Sequence, residues 1–142
     1  MTRPQPASAR PLEPANTAEW ARVLQIVGFA QDTKAEDILV FDMEQRSAIT
    51  DYVVVCSGRS QAHVRGIGER IESGLRERGI RCSSEEGEQE GSWLLLDYDF
   101  VIVHVFHPET RAYYDLESLL AGFPCLRFTP PPTPPDDADS AA

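Results

Sequence analysis

Long apolar stretches are missing from this 142-residue chain, and cysteine is scarce. No run of about 18 apolar residues occurs, so the sequence offers no membrane-spanning helix. Residues 1–15 hold two arginines but no apolar segment, which excludes a secretory signal there. The three cysteines are odd in number and lack metal-type spacing: Cys56, Cys82 and Cys125. We therefore expect reduced, small core residues in a cytoplasmic protein, without a disulfide framework.

Positive charge is also in short supply. The chain has 13 Lys and Arg against 23 Asp and Glu, which gives a formal net charge of -10 and a pI near 4.6. No segment combines clustered Lys or Arg with interleaved aromatics, so direct recognition of nucleic acid is not expected. Such a charge favours encounter with a basic surface, although it would also serve solubility alone.

Proline concentrates at the two ends of the chain. Nine of the eleven prolines lie in residues 4–14 and 130–135. Proline-rich segments resist regular structure, so we predict disordered tails over 1–15 and 124–142. The folded domain is then expected over 16–123, which is long enough to bury a core.

Three helical segments are predicted from periodicity and capping. Asn16 and Glu19 resemble a capping box that opens a helix over about 17–31, and its apolar stripe is Trp20, Val23, Leu24, Val27 and Ala30. Ser60 is a predicted N-cap for a helix ending at Gly79, with Val64, Ile67, Ile71 and Leu75 buried. Pro108 is placed at a helix start, and one or two short helices over 109–120 would turn Tyr113, Leu116, Leu119 and Leu120 inward.

The strand pattern predicts a mixed sheet. Residues 37–42 and 51–57 form two antiparallel strands, and 80–84 forms a strand reached by a parallel crossover. Residues 93–96 and 100–106 are nearly all apolar and read as a hairpin in the middle of the sheet, covered on both faces. The fold class is therefore α/β (α+β), a mixed sheet of about five strands flanked by helices.

An acidic turn, Asp97-Tyr98-Asp99, joins the two hairpin strands and should reach water. Two carboxylates at this spacing resemble the magnesium pair of nucleotidyl-transferring enzymes. No P-loop accompanies them, although Gly58-Arg59-Ser60 could hold one anion at a helix start. His104 lies in the most apolar strand and is expected to be buried, bonded to backbone or a carboxylate. The three histidines lack the spacing of a zinc site, so no metal or other cofactor is expected.

Seven colinear segments carry a resemblance to a known family. They are Ala35 to Ile38, Ile49 to Val54, Gly58-Arg59-Ser60, Glu86-Gly87, Trp93 to Tyr98, Val101 to Phe106 and Arg111 to Glu117. In order and spacing the chain resembles the ribosomal silencing factors, the Iojap-like family, over approximately residues 17–120. That resemblance implies a nucleotidyltransferase-like topology without transferase activity, so the protein is expected not to be an enzyme.

The resemblance also implies a partner and a site. Such proteins bind the large ribosomal subunit through its protein fourteen and block joining of the small subunit, which represses translation when nutrients are limited. A homodimer is also compatible with the family. The partner-facing residues implied for this chain are Trp93, Asp97, Tyr98, Tyr114, Asp115 and Glu117. Asp51 and Tyr52 occupy the family's Thr-Asp-Tyr motif and join this set.

This chain departs from the family pattern at three points. Asp99-Phe100 replaces the usual Gly-Asp after the turn, Leu119-Leu120 lacks the family's Trp, and Gly58-Arg59-Ser60 replaces Gly-Thr-Ser. Two rival hypotheses remain beside ribosome silencing. One is a magnesium-dependent nucleotidyltransferase-like enzyme that uses Asp97 and Asp99. The other is an acidic adaptor module unrelated to ribosomes.

Overall fold

The structure is a computed structural model that describes residues 11–13, 17–87 and 89–128. Its described part contains four helices, α1 (Ala18–Asp32), α2 (Gln61–Arg76), α3 (Pro108–Tyr114) and α4 (Leu116–Leu119). The six strands are β1 (Glu36–Asp42), β2 (Tyr52–Ser57), β3 (Ser84–Glu86), β4 (Trp93–Asp97), β5 (Val101–Phe106) and β6 (Cys125–Phe128). No helix in these ranges has the length and apolarity that crossing a bilayer requires.

The strands form one mixed sheet in the order β3-β4-β5-β2-β1-β6. Neighbouring strands are antiparallel except β2 and β5, which are parallel. The predicted mixed α+β fold and the antiparallel pairing of β1 with β2 are confirmed. The crossover through α2 leads to β3 at the far edge, and the parallel neighbour of β2 is β5.

The predicted central hairpin is β4 and β5, whose register pairs Trp93 with Phe106 and Asp97 with Ile102. Coverage of both faces was the wrong expectation for β4. Leu94 and Leu96 are buried, whereas Trp93, Leu95 and Asp97 on the alternate face are only partly buried. β4 therefore alternates like a half-covered strand because the helices of the second face stop short of it.

The first core lies between the sheet and helices α1 and α2. Thr17 caps α1 by accepting a hydrogen bond from the Trp20 amide, so the predicted N-cap is displaced by one residue; Asn16 itself lies outside the described residues. The expected apolar stripe holds except at Leu24, which is 42% exposed, while Ile26 and Phe29 are buried instead.

Helix α2 begins at the predicted N-cap but ends at Arg76, three residues before the predicted end at Gly79. Ser60 accepts a hydrogen bond from the His63 amide, and Gly79 adopts a left-handed φ of 80° just past the helix. Close packing explains one interior glycine, because a Cβ on Gly68 would lie 2.1 Å from Leu94 Cδ2 on β4. Gly74 faces the Phe29 ring of α1 rather than the sheet.

The second core lies on the opposite face, where α4 and the loop after it cover β1, β2 and part of β5. Its buried side chains include Leu39, Phe41, Val53, Val55 and Phe106, with Leu116 and Leu120 packed against them. The prediction that Tyr113 and Leu119 face inward is wrong: Tyr113 is 81% exposed and Leu119 is 77% exposed. The reason is Asp115, whose left-handed φ of 48° ends α3 and redirects the chain into α4.

Three further expectations need correction. The strand predicted over 80–84 begins only at Ser84 and extends through Glu86, because an edge strand tolerates exposed acids. Cys125–Phe128 lies within the predicted disordered C-terminal tail, yet it forms β6 and pairs with β1. Within the predicted N-terminal tail, Pro11 forms a bridge with Cys125 and Leu12 is buried. The remaining tail residues, except Glu13 and Pro124, lie outside the described ranges.

Candidate functional site

An aromatic group occupies the partly open face of the sheet beside α3. The Trp93 ring stacks on Phe106 with centroids 4.9 Å apart and meets Tyr114 at 4.7 Å. Tyr113 packs edge-on against Tyr114 at 5.0 Å. Trp93 is partly buried, whereas Tyr114 is 52% exposed. We call Trp93, Tyr113 and Tyr114 the aromatic patch.

A hydrogen bond beneath the patch fixes the Trp93 ring. The indole Nε1 donates to Nδ1 of His104 at 3.1 Å, so the His104 proton resides on Nε2. Burial lowers the pKa of His104 to about 4, which keeps the imidazole neutral and able to accept. The predicted burial of His104 is confirmed. Its partner is an indole, where a backbone group or a carboxylate was expected.

A shallow depression adjoins Trp93 and is lined by Glu86, Gly87, Trp93 and Leu95. Gly87 is required here, since a Cβ would lie 1.9 Å from the Trp93 carbonyl oxygen and its φ is 85°. The end of β3 therefore approaches Trp93 closely and places the Glu86 carboxylate at the edge of the patch. An aromatic surface bordered by acids suits a basic partner.

A buried ion network holds α3 and α4 where they present Tyr113 and Tyr114. Arg111 is 2% exposed; its Nε donates to Glu117 Oε2 at 3.1 Å and its Nη1 donates to Ser57 Oγ at 2.8 Å. Its Nη2 lies 3.7 Å from Asp37 Oδ2, and Asp37 also pairs with Arg127 of β6. The network joins both short helices to β1, β2 and β6.

The two aspartates of the β4–β5 turn serve the turn itself. Asp97 Oδ1 accepts from the Asp99 amide at 2.8 Å, and Asp99 Oδ2 accepts from Ser83 Oγ at 2.8 Å. Asp99 takes a left-handed φ of 70°. No cluster of three or more potential metal ligands occurs among the described residues. Tyr98 was expected to reach water with these carboxylates, and this is wrong because it is 4% exposed.

The structure distributes the predicted site residues over several places. Trp93 and Tyr114 are in contact. Asp97 shares the face of β4 with Trp93 but lies about 13 Å further along the strand, at roughly 3.3 Å per residue. Asp115 is the joint between α3 and α4, and Glu117 is buried against Arg111.

The other three predicted residues lie away from the patch. Tyr52 and Tyr98 are buried in the first core, on the α1 and α2 side of the sheet. Desolvation raises the pKa of both phenols. Asp51 is exposed and lines a separate depression of about 350 Å³ with Thr17, Glu19, Asp42, Glu44, Gln45 and Tyr52.

The cysteines have no part in this surface. All three are free thiols, and burial raises the pKa of Cys56 to about 12 and that of Cys125 to about 11. Both therefore stay protonated near neutral pH, which is typical of core residues.

Sequence reasoning missed Arg111, Ser57 and Leu95 as parts of the site. Arg111 and Glu117 stand six residues apart in one of the segments that carry the family resemblance, but among the many charged residues of the chain nothing in the sequence marks them as a buried pair. Leu95 carried no signal, because its exposure depends on how far α3 and α4 extend over β4.

Fold and surface together define the class: a small α+β domain with a mixed sheet, helices on both faces, and an aromatic patch that includes exposed tyrosines. A family model described as "Ribosomal silencing factor during starvation" matches residues 15–140. The chain belongs to this family.

Curated relatives agree with the assignment. A protein of Bacillus subtilis named Ribosomal silencing factor RsfS is 43% identical over 103 residues, which cover 72% of this chain and 87% of that protein. The protein of the same name from Halalkalibacterium halodurans is 37% identical over 102 residues, 72% of this chain and 87% of the relative. A mouse protein named Mitochondrial assembly of ribosomal large subunit protein 1 is 29% identical over 99 residues, 66% of this chain and 42% of that protein.

Solved structures share the fold. A crystal structure of a Chromobacterium violaceum protein superposes with a TM-score of 0.72 at 28% identity, covering 75% of this chain and 88% of the other. A Bacillus halodurans crystal structure gives a TM-score of 0.66 at 34% identity, covering 76% of this chain and 99% of the other. These likenesses confirm the predicted fold class.

Proposed function

We propose that this protein silences ribosomes by binding the large ribosomal subunit through its protein fourteen and sterically blocking the small subunit. Translation falls when the protein is abundant, as under nutrient limitation, and the site of action is the cytoplasm. Family membership supports silencing, and the name of the mouse relative, which refers to assembly of the ribosomal large subunit, supports the large subunit as partner. Only binding is required of the domain, so no catalytic step is proposed.

The aromatic patch is the observation that carries this proposal. Trp and Tyr side chains that are partly exposed and held rigidly dominate many protein interfaces, since they bury much area with little loss of conformational entropy. Trp93 is held by one hydrogen bond and two ring contacts, and Tyr114 packs against it. We place Trp93 and Tyr114 at the centre of the interface and Asp97 at its edge.

Charge gives a second line of support. The chain has a net charge of -10, and Glu86 borders the patch. A basic ribosomal protein would be attracted over long range by such a domain, which accelerates association. We assign Asp51 and Asp115 to this acidic surrounding. Tyr52, Tyr98 and Glu117 act by holding the fold beneath it, because their side chains are buried.

The decisive experiment is a sucrose-gradient assay of subunit joining with purified protein and both subunits. We expect the protein in excess to reduce the peak of joined ribosomes and to migrate with the large subunit. Complete joining in its presence, with no protein on the large subunit, would exclude the proposal.

Two variants sharpen this assay. Trp93→Ala should weaken binding at least tenfold while circular dichroism shows a folded domain, because the ring is only partly buried. Leu24→Ala is the matched control, since Leu24 is an exposed apolar residue on α1, across the sheet from the patch. Equal loss of activity in both variants would argue against the patch as the interface.

The two rival hypotheses have distinct outcomes. A magnesium-dependent nucleotidyltransferase would turn over nucleotides and lose activity when Asp97→Asn and Asp99→Asn are combined. An acidic adaptor unrelated to ribosomes would recover a non-ribosomal partner in an unbiased pulldown. Asp97 already accepts a hydrogen bond from the Asp99 amide and Asp99 accepts one from Ser83, which disfavours the first hypothesis. Family membership disfavours the second.

A further inference from the structure

The depression that contains Asp51 lies where β1 ends and β2 begins, beside the first turn of α1. Its volume is about 350 Å³, and we call it the acidic depression. The side chains that line it are Thr17, Glu19, Asp42, Glu44, Gln45, Asp51 and Tyr52.

The acidic depression is remote from the aromatic patch. In the parallel register of β2 and β5, Ser57 lies opposite Phe106, and Phe106 in turn pairs with Trp93 of β4. Tyr52 stands five residues before Ser57, which places it about 16 Å from this row at roughly 3.3 Å per residue. Its side chain also belongs to the first core, on the α1 side of the sheet. A ligand in the depression would therefore leave the patch free.

Most of the negative charge in the depression has no cation beside it. Glu44 pairs with Arg46, whose Nη2 lies 3.2 Å from Oε1. Among the described residues, no Lys, Arg or His lies within 4.0 Å of the carboxylates of Glu19, Asp42 and Asp51. Asp42 accepts a hydrogen bond from the Glu44 amide at 2.8 Å through one oxygen only. The depression thus offers several carboxylate oxygens to a positively charged ligand.

Tyr52 adds a fixed hydroxyl to these carboxylates. Its side chain is 8% exposed, and its ring packs against Trp20 of α1 with centroids 5.6 Å apart. In the part of the chain that the structure describes, the hydroxyl has no hydrogen-bond partner, and it is not sealed from solvent. Burial raises the pKa of the phenol, and three nearby carboxylates raise it further: Asp42, Asp51 and Glu19. The lone pairs of this hydroxyl can accept a hydrogen bond from a ligand in the depression.

The spacing of the carboxylates favours an extended cation over a metal ion. Calcium and magnesium require six or more oxygens close around one point. No group of three or more His, Cys, Asp or Glu within the described ranges is close enough to hold a metal ion. An organic cation spreads its N–H donors over a longer body, so each carboxylate can accept a separate charge-assisted hydrogen bond.

We propose that the acidic depression binds an organic cation through ammonium or guanidinium groups, carried by a free polyamine or by Lys and Arg side chains of a peptide segment. Asp42, Asp51 and Glu19 accept its N–H groups, and the Tyr52 hydroxyl accepts one more. This site goes beyond ribosome binding and uses none of the patch residues.

The test is a titration of the ¹⁵N-labelled full chain followed by two-dimensional NMR at constant ionic strength. The probes are spermidine, a blocked Lys-Arg-Lys tripeptide of equal charge, and magnesium chloride. We expect saturable shifts at the amides of Asp42, Glu44, Asp51 and Tyr52, with at least one organic cation binding more tightly than magnesium. The tighter of the two identifies the source as a free polyamine or a protein segment. Magnesium binding as tightly as both, or saturation by none, would overturn the site.

Charge-matched variants separate specific binding from screening. Asp51→Asn should weaken binding of the organic cation about tenfold, because it removes one charged acceptor from the depression. Glu36→Gln removes the same charge at the start of β1, six residues and about 20 Å from Asp42, and should leave affinity unchanged. Equal losses in both variants would show that the cation responds only to net charge.

Tyr52→Phe tests the hydroxyl while keeping the ring and every charge. Affinity for the organic cation should fall about fivefold, and the melting temperature without ligand should change little, because the hydroxyl has no partner in the described part of the protein. Unchanged affinity would contradict the site. No ribosome enters these experiments, so their failure is distinct from a failure of the proposed function.

Discussion

His104 must remain neutral in the folded protein. It is 9% exposed, and its Nδ1 accepts the Trp93 indole hydrogen bond. Protonation would place a charge in the sheet and remove the lone pair that the indole needs. Burial in the folded protein therefore lowers the pKa of His104 from its ordinary value of 6.5 to about 4.

This depressed pKa predicts acid sensitivity. Between pH 6.5 and about 4 the unfolded chain binds a proton at position 104 that the folded chain does not bind. The contribution of His104 to stability is therefore complete above pH 6.5 and decreases as the pH falls towards 4. The loss over this window should be about 3 kcal/mol. Urea denaturation at several pH values measures it.

The control for this prediction is His104→Asn, which keeps an acceptor for the indole but does not titrate. Its free energy of unfolding should decrease less between pH 6.5 and 4 than that of the unmodified protein. The difference between the two isolates His104 from the many carboxylates that titrate in the same range. Parallel curves would mean that another group causes the acid sensitivity.

At the residue scale, the burial of His104 was predictable and its hydrogen-bond partner was not. The apolar surroundings in the sequence suffice to bury His104. Its bond to Trp93 depends on the register that pairs Leu95 with His104 and Trp93 with Phe106, so the two rings are diagonal neighbours. The register is set by the pairing of the whole hairpin, and it could not be read from the sequence of the Asp97-Tyr98-Asp99 turn.

Among the secondary structure elements, α2 offers a paired test of packing. Gly66→Ala should stabilise the protein by up to about 1 kcal/mol, because nothing lies within 4 Å of the added Cβ and alanine favours helix. Gly68→Ala should destabilise it by about 1–3 kcal/mol, since the Cβ would overlap buried Leu94. Thermal or urea unfolding compares the two. Stabilisation by both substitutions would show that β4 moves easily away from α2.

The short helices α3 and α4 depend on the Arg111 network. Arg111→Met should cost about 3–5 kcal/mol, because it leaves the Glu117 carboxylate buried without its cation. Combining it with Glu117→Met should restore much of this loss, so urea unfolding of the double-mutant cycle should give a large coupling energy. Arg22→Met is the control, since within the described part of the chain the side-chain hydrogen bond of Arg22 goes to Gln25 on its own helix. Additive losses would contradict direct coupling.

At the element scale, the helices with long periodic patterns were predictable, and the edge strands of the sheet were not. Helix α2 shows its N-cap, apolar stripe and left-handed glycine in the sequence. Strand β6 is four residues long beside a proline-rich segment, so its local pattern favours a tail. It becomes a strand by pairing with the free edge of β1, by the ion pair of Asp37 with Arg127, and by packing Cys125, Leu126 and Phe128 against the cores.

For the whole molecule, net charge predicts a salt dependence of partner binding. Affinity for the large subunit should fall as NaCl rises from 50 to 300 mM, mainly through slower association, because exposed charges are screened beyond about 10 Å at 0.1 M. Biosensor kinetics measure this. Trp93→Ala should instead speed dissociation at every salt concentration. An association rate that is independent of NaCl concentration would show that the acidic residues around the patch do not steer binding.

The candidate surface as a whole was predictable only through family likeness. That likeness singled out Trp93 and Tyr114, which the fold brings into contact. It also included Tyr52, Tyr98 and Glu117, which are buried, because a family motif marks positions without distinguishing contact from support. Burial follows from how the helices cover the sheet, and this is a property of the assembled domain.

The pairing of β6 with β1 also has a consequence for how the protein is made. Ile38 lies opposite Phe128, which is ninety positions later in the sequence. Strand β2 pairs with β5, which is about fifty positions later. A nascent chain can wind its helices early, but it has no complete edge until Phe128 has been synthesised. The polypeptide must therefore emerge from one ribosome at least as far as Phe128 before this domain can complete its sheet.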